Sequence, residues 1–150
     1  ARWEEIEAEA PELVAPRSGF LDANEHKTVA TLGDASPRTS GTEIYFEQGD
    51  VWFGSMTRAV KALDLLRDPR FAMHSASEDP DCGWAGDAKP AGTATEVDDG
   101  AMKAKIGGPG DYHLFPADIT ELVVVSLNAE RTKMVVESWH PGRGIERRER

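Results

Sequence analysis

Apolar and polar positions recur along the chain with two different periods, and the places where the period changes divide it into elements. Trp3, Ile6, Ala10 and Leu13 stand at helical spacing with glutamates between them. That pattern predicts an amphipathic helix halted near Pro11 or Pro16 and laid across one face of the domain. A second short helix is expected over 18–26, with Phe20 and Leu21 inward. From Lys27 the period drops to two: a strand over 28–32, a turn at 33–37, a strand over 39–46, a turn at 47–50 and a strand over 51–53. Joined by short turns, these three strands read as an antiparallel meander.

Helical spacing returns over 57–68, where Val60, Leu63 and Leu66 share the side expected to face the core and Pro69 closes the element. Strands over 70–76 and 87–97 flank a loop at 77–86, and Pro90 places an edge or a bulge in the second of them. A short helix runs from Asp98 or Asp99 to Ile106 and ends at Gly107-Gly108-Pro109-Gly110. The last strands are 119–127, apolar on both faces, and 133–139, while 144–150 are expected to fray as a flexible tail. The count predicts a mainly β fold, a six- to seven-stranded antiparallel barrel with a few short peripheral helices. Closing a sheet in this way removes its exposed edges.

The chain has 150 residues, which suits one compact domain spanning 1–150, its first 26 residues forming the helical segment. No apolar run approaches the roughly 20 residues that cross a bilayer. The opening Arg2-Trp3-Glu4-Glu5-Ile6-Glu7 is acidic where a secretory leader is basic, so a cytoplasmic location is the default expectation. Cys82 is the only cysteine, which rules out an intrachain disulfide. The net charge of −10 repels nucleic-acid backbones and anionic membranes, leaving a small molecule as the expected partner. An anionic ligand must therefore find a local cluster of cations.

Such a cluster is legible between Arg38 and Lys61. The strand beginning Pro37-Arg38-Thr39-Ser40-Gly41-Thr42 is followed, after one hairpin, by a strand ending Gly54-Ser55-Met56-Thr57, where a helix carrying Arg58 and Lys61 begins. Unpaired amides at a helix start, the positive end of its dipole and a lysine in the first turn suit a phosphate, and an arginine fork can add to them. On the residues alone a second reading stands: Thr57 caps the helix, and Arg58 and Lys61 are solvated.

The run Thr31-Leu32, Ser36-Pro37-Arg38-Thr39-Ser40-Gly41-Thr42-Glu43, Gly49-Asp50-Val51-Trp52-Phe53-Gly54-Ser55-Met56 and Lys61-Ala62-Leu63-Asp64-Leu65-Leu66-Arg67-Asp68-Pro69-Arg70 resembles the core of the pyridoxamine 5′-phosphate oxidase superfamily. The likeness continues through 71–76 and 86–97, and weakly to 137–144. It implies a split barrel that dimerises, with FMN in the groove between subunits. By the same resemblance, Arg38 and Lys61 would hold the FMN phosphate with Ser55, and Thr39, Ser40 and Gly41 would run beside the isoalloxazine. Met56 would lie near the ribityl chain, and Arg58 would replace a phosphate donor missing at Ala59-Val60. Lys89 and Trp139 resemble positions that reach the cofactor from the partner subunit or cover the substrate side, or else are a solvated strand residue and an ordinary interface aromatic. The substrate-binding arginine and histidine pattern of true pyridoxamine-phosphate oxidases is absent from Trp139-His140-Pro141-Gly142-Arg143, which moves the reading away from vitamin B6 oxidation.

The resemblance implies a flavin-dependent oxidoreductase whose catalytic residues and substrate stay unassigned, since flavin does its own redox chemistry. The deazaflavin coenzyme is the alternative cofactor, and haem through His74 or His113 a third. A non-catalytic flavin or haem carrier on the same barrel is the rival class. No Gly-x-Ser-x-Gly elbow surrounds Ser55, no His-Glu-x-x-His or cysteine cluster suggests a metal, and Gly107-Gly108-Pro109-Gly110 matches no dinucleotide loop.

Overall fold

In a computed structural model, which describes residues 1–14 and 18–150, nine strands form one continuous hydrogen-bonded system and the helices lie on its periphery. The chain enters through α1 (Trp3–Glu9) and α2 (Pro11–Val14), then α3 (Ser18–Asp22). Trp3, Ile6, Ala10 and Leu13 are all buried, as their spacing predicts. Pro11 separates the first two helices, because its ring cannot continue the ladder of α1. Pro16, the other expected stop, lies outside the described residues.

β1 (Lys27–Gly33) and β2 (Ser36–Thr42) form a hairpin through Asp34 and Ala35, both at positive φ, the backbone that a two-residue turn between twisted strands requires. Pro37 is tolerated because β2 is an edge strand. The expected strand over 39–46 is in fact two. It breaks at Glu43, and β3 (Ile44–Glu47) leaves β2 to pair with β4 (Asp50–Met56). The meander is thus two hairpins in different parts of the sheet, turned by Gln48 and Gly49, again at positive φ.

β5 (Arg70–His74) adds to β1, and β6 (Asp87–Ala94) to β5. The expected irregularity near Pro90 is present: β5 pairs only with 91–93 of β6, and the register against β7 shifts between Ala91 and Gly92. α5 (Gly100–Gly107) begins where expected, with the Asp99 carboxylate accepting from the backbone N–H groups of Ala101 and Met102. β7 (Tyr112–Leu127) is longer than the sequence pattern suggests. Its first part pairs with β4 and its second with β6 and β8 (Met134–His140), so one strand joins the two halves of the barrel. The order is β2-β1-β5-β6-β7-β4-β3, with β8 on β7.

The expected tail is instead a ninth strand, β9 (Gly144–Glu149), paired residue for residue with β8. Its polar composition hid it, since an edge strand with both faces wet needs backbone bonds but little apolar surface. Phe53 links the halves of the core, 5.4 Å from Phe71 and 5.7 Å from Phe115 between ring centres.

α4 (Val60–Arg67) departs furthest from expectation. Val60, Leu63 and Leu66 are exposed, whereas Ala62, Leu65 and the charged Asp64 are buried. The helix is turned by the partners waiting for Asp64 in the sheet, described below.

Gly92 lies at the β6–β7 bulge, where an added Cβ would meet the Asp118 carbonyl oxygen at 2.0 Å, a backbone atom with no freedom to withdraw. Gly92→Ala is expected to lower stability by more than about 2 kcal/mol in chemical denaturation. Gly41→Ala, where no heavy atom lies within 4 Å, serves as the control and is expected to be neutral.

Candidate functional site

The ends of β2 and β4 and the first turn of α4 meet around an open cavity of about 460 Å³, lined by Gly41, Thr42, Gly54, Ser55, Ala59 and Lys61, among others. Their convergence follows from short links. Thr42 Oγ1 lies 3.5 Å from the Gly54 carbonyl oxygen, tying the two strand ends together across the broken meander. Lys61 Nζ donates to the Gly41 carbonyl at 2.6 Å, tying the helix to the edge strand. Burial lowers the Lys61 pKa, with the Glu43 carboxylate opposing that shift. Among the described residues this partly desolvated ammonium donates to a neutral carbonyl only, with the Glu43 carboxylate acting on it through space, so it keeps donors for an anion.

Six of the lining residues were not picked out as site residues by sequence reasoning: His26, Thr42, Glu43, Tyr45, Gly54 and Ala59. The Tyr45 hydroxyl donates to Glu43 at 3.2 Å, and burial, followed by that bond, raises its pKa. Had the break between β2 and β3 been read, Glu43 and Tyr45 would have moved from mid-strand to the rim of the cavity. The site therefore has a cationic wall at Lys61 and an acidic one at Glu43.

Eight of the ten expected site residues fall into three groups, Arg58 and Trp139 standing apart. Gly41, Ser55, Met56 and Lys61 line the cavity, with Ser55 buried and Met56 exposed. Arg38 and Ser40 lie on the same edge strand but do not line it. The Arg38 Nε donates to Asp64 at 2.8 Å. Thr39 and Lys89 line a separate trough of about 350 Å³ on the larger part of the sheet, together with His74.

Arg58 precedes the helix rather than riding on it. Its φ is +62° and its N–H donates to His113 Nε2 at 3.2 Å. The helix starts at Val60 with no side-chain cap, and Thr57 Oγ1 donates to the Asp111 carbonyl instead. Trp139 is a correction. It is completely buried in the core, with Nε1 donating to Glu9 beneath the N-terminal helices, so it is neither a surface aromatic nor within reach of a ligand.

No family model matches the sequence, and no curated protein matches it at a significant level. Solved structures do match. A pyridoxamine 5′-phosphate oxidase-related, FMN-binding protein from Nostoc punctiforme superposes with a TM-score of 0.62 over 94% of both chains, at 14% identity. The putative pyridoxamine 5′-phosphate oxidase from Listeria innocua matches 73% of this chain and 94% of its own, with a TM-score of 0.57 and 13% identity. This chain has their split-barrel fold. PhzG from Burkholderia lata 383, solved in complex with tetrahydrophenazine-1-carboxylic acid, shares the split barrel over 99% of this chain and 92% of its own, with a TM-score of 0.65 and 10% identity.

On this split barrel neither candidate haem ligand stands free in the cavity. His113 Nε2 accepts from Arg58 while Nδ1 lies 2.7 Å from Glu96, so both ring nitrogens are engaged. His74 Nδ1 lies 2.6 Å from the Ser75 carbonyl and the residue faces the other trough. Among the described residues, no group of three or more histidine, cysteine, aspartate or glutamate side chains is disposed to hold a metal. Among the described residues, no helix is long and apolar enough to cross a membrane.

Arg58 separates backbone cost from side-chain contribution. Glycine adopts positive φ without a Cβ penalty, so Arg58→Gly is expected to leave the melting free energy within about 0.5 kcal/mol or to raise it. A loss above about 1 kcal/mol on thermal denaturation would show that the exposed arginine side chain holds the loop.

Proposed function

We propose that this chain binds FMN in the cavity walled by Lys61 and acts as a flavin-dependent oxidoreductase on a small molecule. The observation that carries the reading is the Lys61 ammonium, partly buried and set against the bare edge of Gly41 on a split barrel. The residues fit the cofactor on two counts. A partly buried cation with donors to spare suits a phosphate, and the open space over Gly41 admits a flat ring against the strand. Lys61 and Ser55 hold the phosphate, joined by Arg38 from farther along the strand. Thr39, Ser40 and Gly41 offer backbone groups along the ring, and Met56 covers the chain between ring and phosphate.

Bound flavin itself accepts and returns hydride, so the protein's task is to bind, orient and admit. Glu43, backed by Tyr45, presents an acceptor at the mouth of the cavity and disfavours anionic substrates there. The deazaflavin coenzyme, with its polyanionic tail, is less well served by a wall with a single lysine beside a carboxylate. Titration of the purified protein with each cofactor decides between them, saturable binding of FMN being expected. Lys61→Ala should weaken FMN binding by about 1.5–3 kcal/mol, the worth of a charge-assisted hydrogen bond. Because burial lowers the Lys61 pKa, affinity should begin to fall with rising pH below 10.5, the ordinary lysine value. Affinity constant through that range would remove Lys61 from the site.

The proposed assembly is a homodimer. Val60, Leu63 and Leu66 on α4 are 52%, 41% and 52% exposed, and Met56 at the end of β4, in the cavity lining, is 80% exposed. In a chain of net charge −10, such a face calls for cover, and a second copy placed there would also close the cavity. From the trough, Lys89 would reach a cofactor only across such an interface. Leu63→Glu with Leu66→Glu is expected to give a folded monomer by sedimentation. A dimer that survives both charges would place the interface elsewhere.

A further inference from the structure

Residues 57–59 link β4 to α4 at the rim of the Lys61 cavity, which Met56 and Ala59 line. Among the described residues, three hydrogen bonds fasten this link. The Ala59 N–H donates to the Met56 carbonyl at 3.0 Å, Thr57 Oγ1 to the Asp111 carbonyl at 2.9 Å, and the Arg58 N–H to His113 Nε2 at 3.2 Å. Two of the acceptors are backbone carbonyls, which accept at any pH. The third is an imidazole. Arg58 sits at φ +62°, a backbone that costs any residue with a Cβ, so the link relies on its fastenings.

The contacts fix the state of that imidazole. A ring nitrogen that accepts carries no proton, so the proton of neutral His113 is on Nδ1. Nδ1 lies 2.7 Å from Glu96 Oε1 and donates to it, which holds both the tautomer and the direction of the ring. His113 also stands opposite Ser55 in the β4–β7 ladder, and its ring stacks on Phe115 at 6.3 Å between centres. The charged and titratable groups about it are Glu96, Lys103 on α5, whose Nζ lies 3.9 Å from Glu96, Asp111 and Tyr112 next to it in the chain, and Arg58 itself. A second proton on the ring changes one contact. Nδ1–H still meets Glu96, whereas Nε2 becomes a donor and faces the Arg58 N–H, donor against donor.

We infer that His113 is a proton-operated latch on the rim of the cavity, with Glu96 as the residue that positions it: neutral, it holds the 57–59 link, and protonated, it releases the link and eases passage into and out of the cavity. What passes the rim rests on the reading of the Lys61 cavity as a ligand site; the latch itself does not.

Hydrogen exchange at the Arg58 amide, followed by NMR on the full chain and divided by the rate of an unstructured amide at the same pH, reads the latch without a ligand. Histidines change charge between about pH 5 and 8, and protection of Arg58 is expected to fall there with the midpoint of the His113 ring signals. Protection that stays constant through the His113 titration overturns the proposal. Arg58→Gly keeps the N–H and should keep the pH dependence; its loss there would make the arginine charge the cause and is equally fatal. Glu96→Ala should lower protection already at neutral pH, and Glu96→Gln, which still accepts from Nδ1, should preserve it. Wild-type protection in Glu96→Ala removes the positioning role. With FMN bound, His113→Gln supplies an acceptor that does not titrate. The dissociation rate of wild type relative to that variant should rise about fivefold from about pH 7.5 to about pH 5.5, roughly what one hydrogen bond is worth. Titration of the FMN phosphate is common to both proteins and cancels in the ratio, so a constant ratio refutes the gating. A protein that takes up no FMN refutes the flavin reading, and exchange at Arg58 still decides the latch.

Discussion

The hydrogen-bonded shell around Asp64 decides more of this structure than any apolar contact. A carboxylate removed from water is tolerated only where donors await it, and Thr31 on β1 and Arg38 on β2 await it here. Satisfying Asp64 sets the rotation of α4 about its axis. Lys61, one turn earlier, is carried to the edge of β2, and Val60, Leu63 and Leu66 are carried to the surface. The cavity wall and the exposed apolar face are two consequences of one polar constraint. The apolar periodicity of the helix would have chosen the opposite face, and the cost of an unpaired buried charge outweighs the gain from burying three aliphatic side chains about half-exposed here.

The second constraint is the length of β7. Sixteen residues of one strand serve β4 at its start and β6 and β8 at its end, so the barrel halves cannot separate without breaking both ladders. The bulge opposite Gly92 lets that strand bend between its partners. Phe53, Phe71 and Phe115 fill the junction. The cavity lies at the β4 end of this junction, with the loop of residues 57–59 between β4 and α4 at its rim.

What could be read from sequence follows from which forces act locally. The N-terminal helix, the Asp99 cap and the irregularity after Pro90 depend on neighbours within a few residues, and their signals are present in the chain itself. The face of α4 depends on Thr31 and Arg38, some thirty residues away, and no periodicity encodes them. The break at Glu43 escapes for a related reason, since Thr39 to Phe46 has strand character throughout and only the divergence of β2 from β3 requires it to be cut. Trp139 was placed near the cofactor by the family resemblance, yet it is buried and its indole N–H is held by Glu9, at the other end of the sequence. For the site, Gly41, Ser55, Met56 and Lys61 were named from the run of residues that carries the family resemblance and do line the cavity, whereas Glu43 and Tyr45 were lost with the missed break.

The split barrel locates a cavity without dictating what enters it, and at 10–14% identity the matched structures speak to backbone geometry rather than to side-chain chemistry. The chemistry has to be argued from charges, which here are unevenly placed. The wall carrying Lys61 is backed by a neutral carbonyl, so a phosphate bound there restores the balance that burial removed. At Glu43 and Tyr45 an anion would meet a carboxylate already sharing its proton donor, whereas a neutral or cationic group would find an acceptor. A ligand that satisfies both walls is anionic at one end only. FMN, with its phosphate toward Lys61 and its uncharged ring toward the mouth, has that polarity, and a substrate stacked on the ring would then approach past Glu43.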